Sequence, residues 1–217
     1  MIWVVVLFRQ SIGTTSWLFP GTYYENARSV VQKVDFVELL VYQWDEETQK
    51  LFDKEIRGLM ELKRQGLLYT VHLPTNNIED ARRAFEFFEN SELDVVSYVL
   101  HPLDGFKNFK WNKKVAVENI LQKVEVHEKM VFDIGHHMLG EKFPPEYLDN
   151  VVEIHIMGVK DGRNHLELNE DTLRELCLLF GDKLYLVPYI CFEIFDMDLL
   201  EDSLELWNRM MSRGWEK

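Results

Sequence analysis

Apolar runs rich in β-branched and aromatic residues recur along the chain, and most are followed by a stretch whose apolar positions return every three or four residues. The runs predict strands near 11–17, 36–41, 67–72, 95–101, 115–119, 130–133, 152–156 and 184–195, and the longer periodicity predicts helices over 22–33, 46–65, 78–90, 170–180 and 199–213. Asn169, followed by acidic residues, reads as a helix start. Strand and helix alternating in this way make an α/β chain with a parallel sheet, and eight strands suffice for a closed (β/α)8 TIM barrel. Such barrels usually take ~250 residues with ~200 as the floor. The 217 residues therefore predict one compact barrel domain over 1–217 with some outer helices shortened or missing. The segment 102–114, with Gly105 and an aromatic-basic mix, leaves little room for a helix and is the place to lose one.

Composition narrows the partners. Lys and Arg number 24 against 37 Asp and Glu, a formal charge of −13, which repels a phosphate backbone and disfavours nucleic acid. Cys177 and Cys191 have no CxxC spacing and read as reduced core residues of a cytoplasmic protein. The apolar run Ile2–Phe8 lacks a basic leader and a cleavage site and is too short to span a membrane, so it reads as a strand or an extension of one.

The chemistry gathers where the strands end. His72, His101, Glu118, Asp133 with His136, His155 and Glu193 each close an apolar strand run, and in a parallel barrel those C-terminal ends converge on one face. A mixed His and carboxylate set suits Zn, Mn, Fe or Co better than Mg or Ca. Glu118 and Glu193 weigh most, because a carboxylate inside an apolar run requires a partner. Asp133-Ile134-Gly135-His136 reads as two ligands three residues apart across a glycine turn. His165 follows the seventh strand with Asp161 nearby, as a further ligand or as a loop histidine. Glu38, at the end of the second strand, is either a ligand or ligand partner, or an outward strand-edge carboxylate. His127 and His137 lack a strand-end position and read as surface residues.

This series resembles the apurinic-endonuclease and xylose-isomerase-like TIM barrel superfamily. In the endonuclease branch the resemblance implies a three-metal site, with His72, His101, Glu118 as the bridging carboxylate, Asp133, His136, His155, His165 and Glu193 in the ligand positions. One position departs: the pattern has an Asp two residues before the loop histidine, where this chain has Arg163, so either Asp161 substitutes or the third metal is weak or absent. Ile12-Gly13-Thr14-Thr15-Ser16 with Pro20, Val34-Asp35-Phe36-Val37-Glu38-Leu39, Tyr69-Thr70-Val71-His72-Leu73-Pro74, Asp133-Ile134-Gly135-His136, Asp161-Gly162-Arg163-Asn164-His165-Leu166 and Glu193-Ile194-Phe195 are similar to the cobamide-remodeling phosphodiesterases (the CbiR family). That likeness implies hydrolysis of the nucleotide-loop phosphoester of a corrinoid substrate to give cobinamide.

On this reading two or three divalent ions, Zn or Mn first among them, activate water for in-line displacement. Glu118 would bridge them, and Glu193 and Asp133 would offset their charge. Trp17, Phe19, Tyr23, Tyr42 and Trp44 form either an apolar wall for a large flat ligand or helix-to-barrel core. Lys107, Lys110 and Trp111 either meet a phosphate or propionamide edge or lie in a solvated loop. Rival expectations are a one-metal sugar or sugar-phosphate isomerase or epimerase with Glu118 and Glu193 as proton-transfer groups, an abasic-site endonuclease, and a non-catalytic corrinoid-binding barrel.

Overall fold

The computed structural model describes residues 10–108 and 111–213; the apolar run Ile2–Phe8 and Lys110 lie outside them. Eight parallel strands close a barrel: β1 (Ser11–Thr15), β2 (Phe36–Leu40), β3 (Leu68–His72), β4 (Ser97–Leu100), β5 (Val115–Glu118), β6 (Met130–Asp133), β7 (Val151–Ile156) and, after a hairpin of β8 (Gly158–Lys160) and β9 (Arg163–Leu166), β10 (Tyr189–Phe192). Each strand pairs with its sequence neighbour around the ring, and β10 closes it between β7 and β1. The compact TIM barrel expected from the alternation is what the chain forms.

The outer layer is α1 (Tyr23–Val30), α2 (Glu46–Arg64), α3 (Ile78–Glu89), the short α4 (Ile134–Leu139), α5 (Glu170–Phe180) and α6 (Met197–Arg213). Their starts are written in the sequence: Thr22, Asp45, Asn77 and Asn169 each accept a backbone N–H from the first turn, satisfying donors that have no partner within the helix. Among the described residues no α-helix follows β4 or β5. The loop after β4 holds only a 3-10 turn at Phe106–Asn108, so two connections are trimmed where one was expected.

Three local expectations are corrected. The apolar pattern predicts the eighth strand over 184–195, but Gly181–Leu186 is a 3-10 helix and only Tyr189–Phe192 pairs. Leu184 is buried while Leu186 is exposed, and Pro188 has no N–H to give a ladder, so the apolar alternation there is not a strand's. The loop at 160–165 is a hairpin: Asp161 and Gly162 both take positive φ, 52° and 73°, and this Asp-Gly pair is the turn that suits a two-residue hairpin. Residues 133–136 form no glycine turn; Asp133 is the N-cap of α4 and Gly135 lies in its first turn.

Register decides what faces the barrel axis. Thr15, Glu38, Thr70 and Ser97 are partners across β1 to β4, and Asp133, His155 and Cys191 are partners across β6, β7 and β10. Side chains two apart on a strand share a face, so Glu118 shares one with Ala116, and Glu153 with His155. The main apolar core lies between barrel and helices, whereas the apolar cluster inside is small: Val99, Ala116 and Val131. Near the floor Phe36 fills the axis beneath Gly13, where a Cβ would stand 2.5 Å from three atoms of its ring.

Candidate metal centre

At the C-terminal mouth the described residues Leu40, Val41, Tyr42, His72, Thr75, His101, Glu118, His136, His165 and Glu193 line a cavity of about 120 Å³. Glu118 is its centre. One carboxylate oxygen lies 3.1 Å from His72 Nε2 and 2.9 Å from His101 Nε2, and the other lies 3.0 Å from His155 Nδ1. Two ligand groups therefore share this side chain: His72 with His101, and Asp133 with His155 and Glu193, the candidate atoms of each group lying within 4.8 Å of one another.

The histidines are oriented by backbone. His72 Nδ1 donates to the Leu73 carbonyl (3.0 Å), His136 Nδ1 to the Asn119 carbonyl (2.8 Å) and His165 Nδ1 to the Glu193 carbonyl (3.0 Å). A carbonyl can only accept, so each bond keeps a proton on Nδ1. His136 and His165 are left with an Nε2 lone pair, as metal-ligating histidines require, whereas His72 Nε2 faces a Glu118 oxygen at 3.1 Å and donates to it, a proton that a bound ion would displace. His136 is placed by α4: Asp133 caps the helix by accepting the His136 backbone N–H through Oδ1, which leaves Oδ2 buried and without a partner. His165 is held at φ 54° on the hairpin, with its ring stacked on Phe195 at 4.7 Å. A non-glycine residue in that region is strained, a cost that persists where the surroundings fix the geometry.

Electrostatics say what the pocket is built to hold. Among the described residues no Lys or Arg pairs with Glu38, Glu118, Asp133, Glu153 or Glu193; their ion-pair neighbours are histidines. Burial raises the Glu118 pKa, but His155 and the hydrogen bonds from His101, His155 and His72 outweigh it and hold the carboxyl well below its usual range. Burial opposes charging His155, yet Glu38 and Glu118 raise its pKa well above the ordinary value; the same contest, won by Glu118, raises His72. Glu193 is pushed well up, chiefly by burial. Buried carboxylates need cations, and here imidazoles are their ion-pair neighbours. The Nε2 atoms of His136 and His165, the orphaned Asp133 oxygen and the His/carboxylate chemistry fit a divalent metal ion.

The remaining sequence candidates divide. Trp17 and Tyr42 are half-exposed at the rim, 4.9 Å apart between ring centroids, with Phe195 against Trp17 at 6.0 Å. Tyr42 is near enough to Glu193 and Glu118 that burial and their charges raise its phenol pKa. Trp44, by contrast, is buried among Phe52, Phe87 and Phe88, and Tyr23 stacks on Phe52; both belong to the helix-to-barrel core. Trp111 lies just before β5, against Phe85 and beside a cavity at the opposite end of the barrel that His127 also lines. Lys107 pairs with Glu125 at 2.5 Å. Asp161 is exposed at the hairpin tip and joins neither ligand group, so it does not stand in for the missing aspartate. Glu38 faces inward, 3.4 Å from His155 Nε2, which settles against a strand-edge role. His137 is buried, not superficial: its Nδ1 accepts the Phe143 N–H at 3.0 Å. Sequence reasoning missed Glu153, although its spacing of two from His155 on one strand was the available signal, and Phe195 as the plate behind His165.

No family model and no curated protein matches the sequence. Among solved structures the chain is similar to a sugar phosphate isomerase/epimerase from Parabacteroides distasonis, at 12% identity over 93% of this chain and 99% of that one, with a TM-score of 0.41. It is also similar to a xylose isomerase-like TIM barrel/4-hydroxyphenylpyruvate dioxygenase fusion protein, at 11% identity over 87% of this chain and 39% of that one, with a TM-score of 0.39.

Proposed function

We propose that the protein is a metal-dependent phosphodiesterase whose substrate is the nucleotide-loop phosphoester of a cobamide. The observation that carries the phosphodiesterase reading is the Glu118 carboxylate, with its two oxygens turned toward different ligand groups, the posture of a carboxylate that bridges two ions. Divalent ions held by the two groups that share Glu118 would supply a lowered water pKa and Lewis-acid charge for an in-line displacement. The chain's own residues do the rest: Glu118 fixes the spacing, the Nε2 atoms of His72, His101, His136 and His165 face the mouth, and Asp133 and Glu193 hold its charge balance. The lining offers no Ser, Cys or Lys nucleophile among the described residues, in keeping with attack by water.

A cavity of about 120 Å³ is small against the ~300–1,000 Å³ of pockets that enclose a drug-sized ligand. It suits a reacting group, with the bulk of a large substrate resting at its rim on the half-exposed Trp17 and Tyr42 and the partly buried Phe195. The cobamide assignment rests on that surface and on the motif resemblance. A second reading, sugar-phosphate isomerisation or epimerisation, is favoured by the compact set Glu118, Asp133, His155 and Glu193, which suits a single ion, and by the raised Glu193 pKa, which suits proton transfer. The deciding experiment incubates metal-analysed protein with cobalamin and follows cobinamide by chromatography. Two or more ions that a chelator strips from the mouth, with chelator-sensitive cobinamide, support the proposal. Two such ions without cobinamide keep the hydrolase and remove the substrate; one such ion, no cobinamide and turnover of a sugar phosphate support the second reading.

A further inference from the structure

Below the mouth the barrel interior contains polar groups that the proposed reaction does not use. Glu38, Glu153 and Cys191 are fully buried with His155, and one ligand atom from each of the four lies within 4.8 Å of the others. All four carboxylate oxygens of Glu38 and Glu153 lack a hydrogen-bond partner, as do His155 Nε2 and the hydroxyls of Thr15 and Thr70, the residues that flank Glu38 in register. A buried carboxylate without hydrogen bonds costs several kcal/mol or must give up its charge, and the one ion-pair contact here is Glu38 with His155 Nε2 at 3.4 Å. Two such carboxylates together, beside a thiol and an imidazole nitrogen and with no Lys or Arg in reach among the described residues, form an arrangement that apolar packing would have filled more cheaply.

We propose that Glu38, Glu153, His155 Nε2 and Cys191 form a closed second site for a thiophilic divalent cation, zinc above all, distinct from the ions of the mouth. The donor set is the reason for the ion class. Sulfur, nitrogen and two carboxylate oxygens make four ligands with no position left open, as in structural zinc sites, and hard cations such as Mg²⁺ take oxygen-only shells. Bonds of about 2.0–2.3 Å to a tetrahedral ion put ligand atoms roughly 3.3–3.8 Å apart. Separations of no more than 4.8 Å are therefore at most about 1.0–1.5 Å wider than a formed shell, a distance that side-chain torsions can close.

His155 links the two sites. Its Nδ1 is 3.0 Å from Glu118 on the mouth side, and its Nε2 is 3.4 Å from Glu38 on the interior side. With cations on both sides the ring would carry no N–H, its protons passing to solvent as the ions bind. The interior ion would then set the position of a mouth ligand without touching substrate. Because the four residues are sealed, the ion enters as the chain folds, and a chelator removes the mouth ions first.

Sulfur gives the site its own signature, since the mouth has no sulfur ligand among the described residues and the only other cysteine, Cys177, lies on α5. Protein produced in cells supplied with Co²⁺ in place of Zn²⁺ is expected to show a near-ultraviolet thiolate-to-cobalt charge-transfer band. The band should survive Cys177→Ser, survive brief chelation that strips the mouth, and disappear in Cys191→Ser together with one equivalent of metal. Wild-type protein that binds no cobalt, or binds it without the band, overturns the proposal, as does a band that persists in Cys191→Ser. The wild-type spectrum decides even where a variant fails to fold.

Discussion

Glu118 shows how a single side chain can be read both ways, as a cost and as a function. Buried in β5 and approached by three histidines, it has imidazoles as its ion-pair neighbours unless a metal ion binds. Glu118→Gln keeps the volume but removes the charge and one acceptor. It is expected to reduce metal-dependent turnover to background and to lower the bound metal, with the barrel still folded by circular dichroism; an undiminished rate would remove Glu118 from the mechanism. Trp17 tests the rim. Its ring packs on Tyr42 and Phe195 without itself lining the reacting cavity, so Trp17→Ala should raise KM severalfold and leave kcat nearly unchanged, the mark of lost uniform binding. A kcat loss as large as the KM gain would place the ring against the reacting group instead. At this scale much was legible, because a carboxylate or histidine at the end of an apolar run is visible in one dimension. The fates of Trp44, Trp111 and Asp161 were not, since each depends on which way a loop turns after its strand, and that is set by packing partners far along the chain.

Among the elements, α4 and the hairpin that faces it were hardest to foresee. A six-residue helix has no amphipathic period to read, and Asp133-Ile134-Gly135-His136 looks like a turn because Asp and Gly favour turns; the structure instead uses Asp133 as a cap and Gly135 for close packing. A Cβ at Gly135 would meet Asn164 Cβ and Met157 Sδ at 2.9 Å. The end of α4 depends on a histidine that must stay neutral. His137 Nδ1 accepts the Phe143 N–H, and burial with nearby Lys142 lowers its pKa below the ordinary 6.5 despite Glu175. In the unfolded chain the ring takes up a proton as pH falls through about 6.5, while the folded ring resists it, so the unfolded state binds more protons and stability falls with pH beneath that value until the lowered folded-state pKa is passed. His72 and His155, whose pKa values are raised, act in the opposite direction, so the informative quantity is a difference. Wild type should lose more Tm than His137→Gln between about pH 7 and 5.5; parallel curves would show that this proton does not couple to folding.

Across the whole molecule, the strand order and closure followed from alternation and length, whereas the polar character of the barrel axis did not, because a strand buried on both faces reads as a continuous apolar run with occasional polar letters. Glu38, Glu153, Thr15, Thr70 and Ser97 are such letters, and only register shows that they share the interior. The axis is thus divided by height: Phe36 packs the floor beneath Gly13, polar groups fill the middle, and ligands ring the mouth. The floor can be tested by volume. Gly13→Ala drives a methyl into the Phe36 ring and should cost about 1–3 kcal/mol, which at about 2–4 °C per kcal/mol for a chain of this size is a drop of several degrees in Tm. Phe36→Leu in the same chain should recover part of it, and additive losses would mean the two side chains do not compete for one space. The upper layers can be tested by removing metal. An ion that binds only the folded state stabilises it by RT ln(1 + [L]/Kd), about 4 kcal/mol at a thousandfold excess over Kd. Stripping the ions also leaves Glu118, Asp133 and Glu193 facing one another with only imidazolium to offset them. Dialysis against chelator should therefore lower Tm by on the order of 10 °C, reversibly on adding Zn²⁺ or Mn²⁺ but not Mg²⁺. If Tm does not move while metal analysis shows the ions gone, the carboxylates are neutralised by protons alone and the barrel does not rely on metal for its stability.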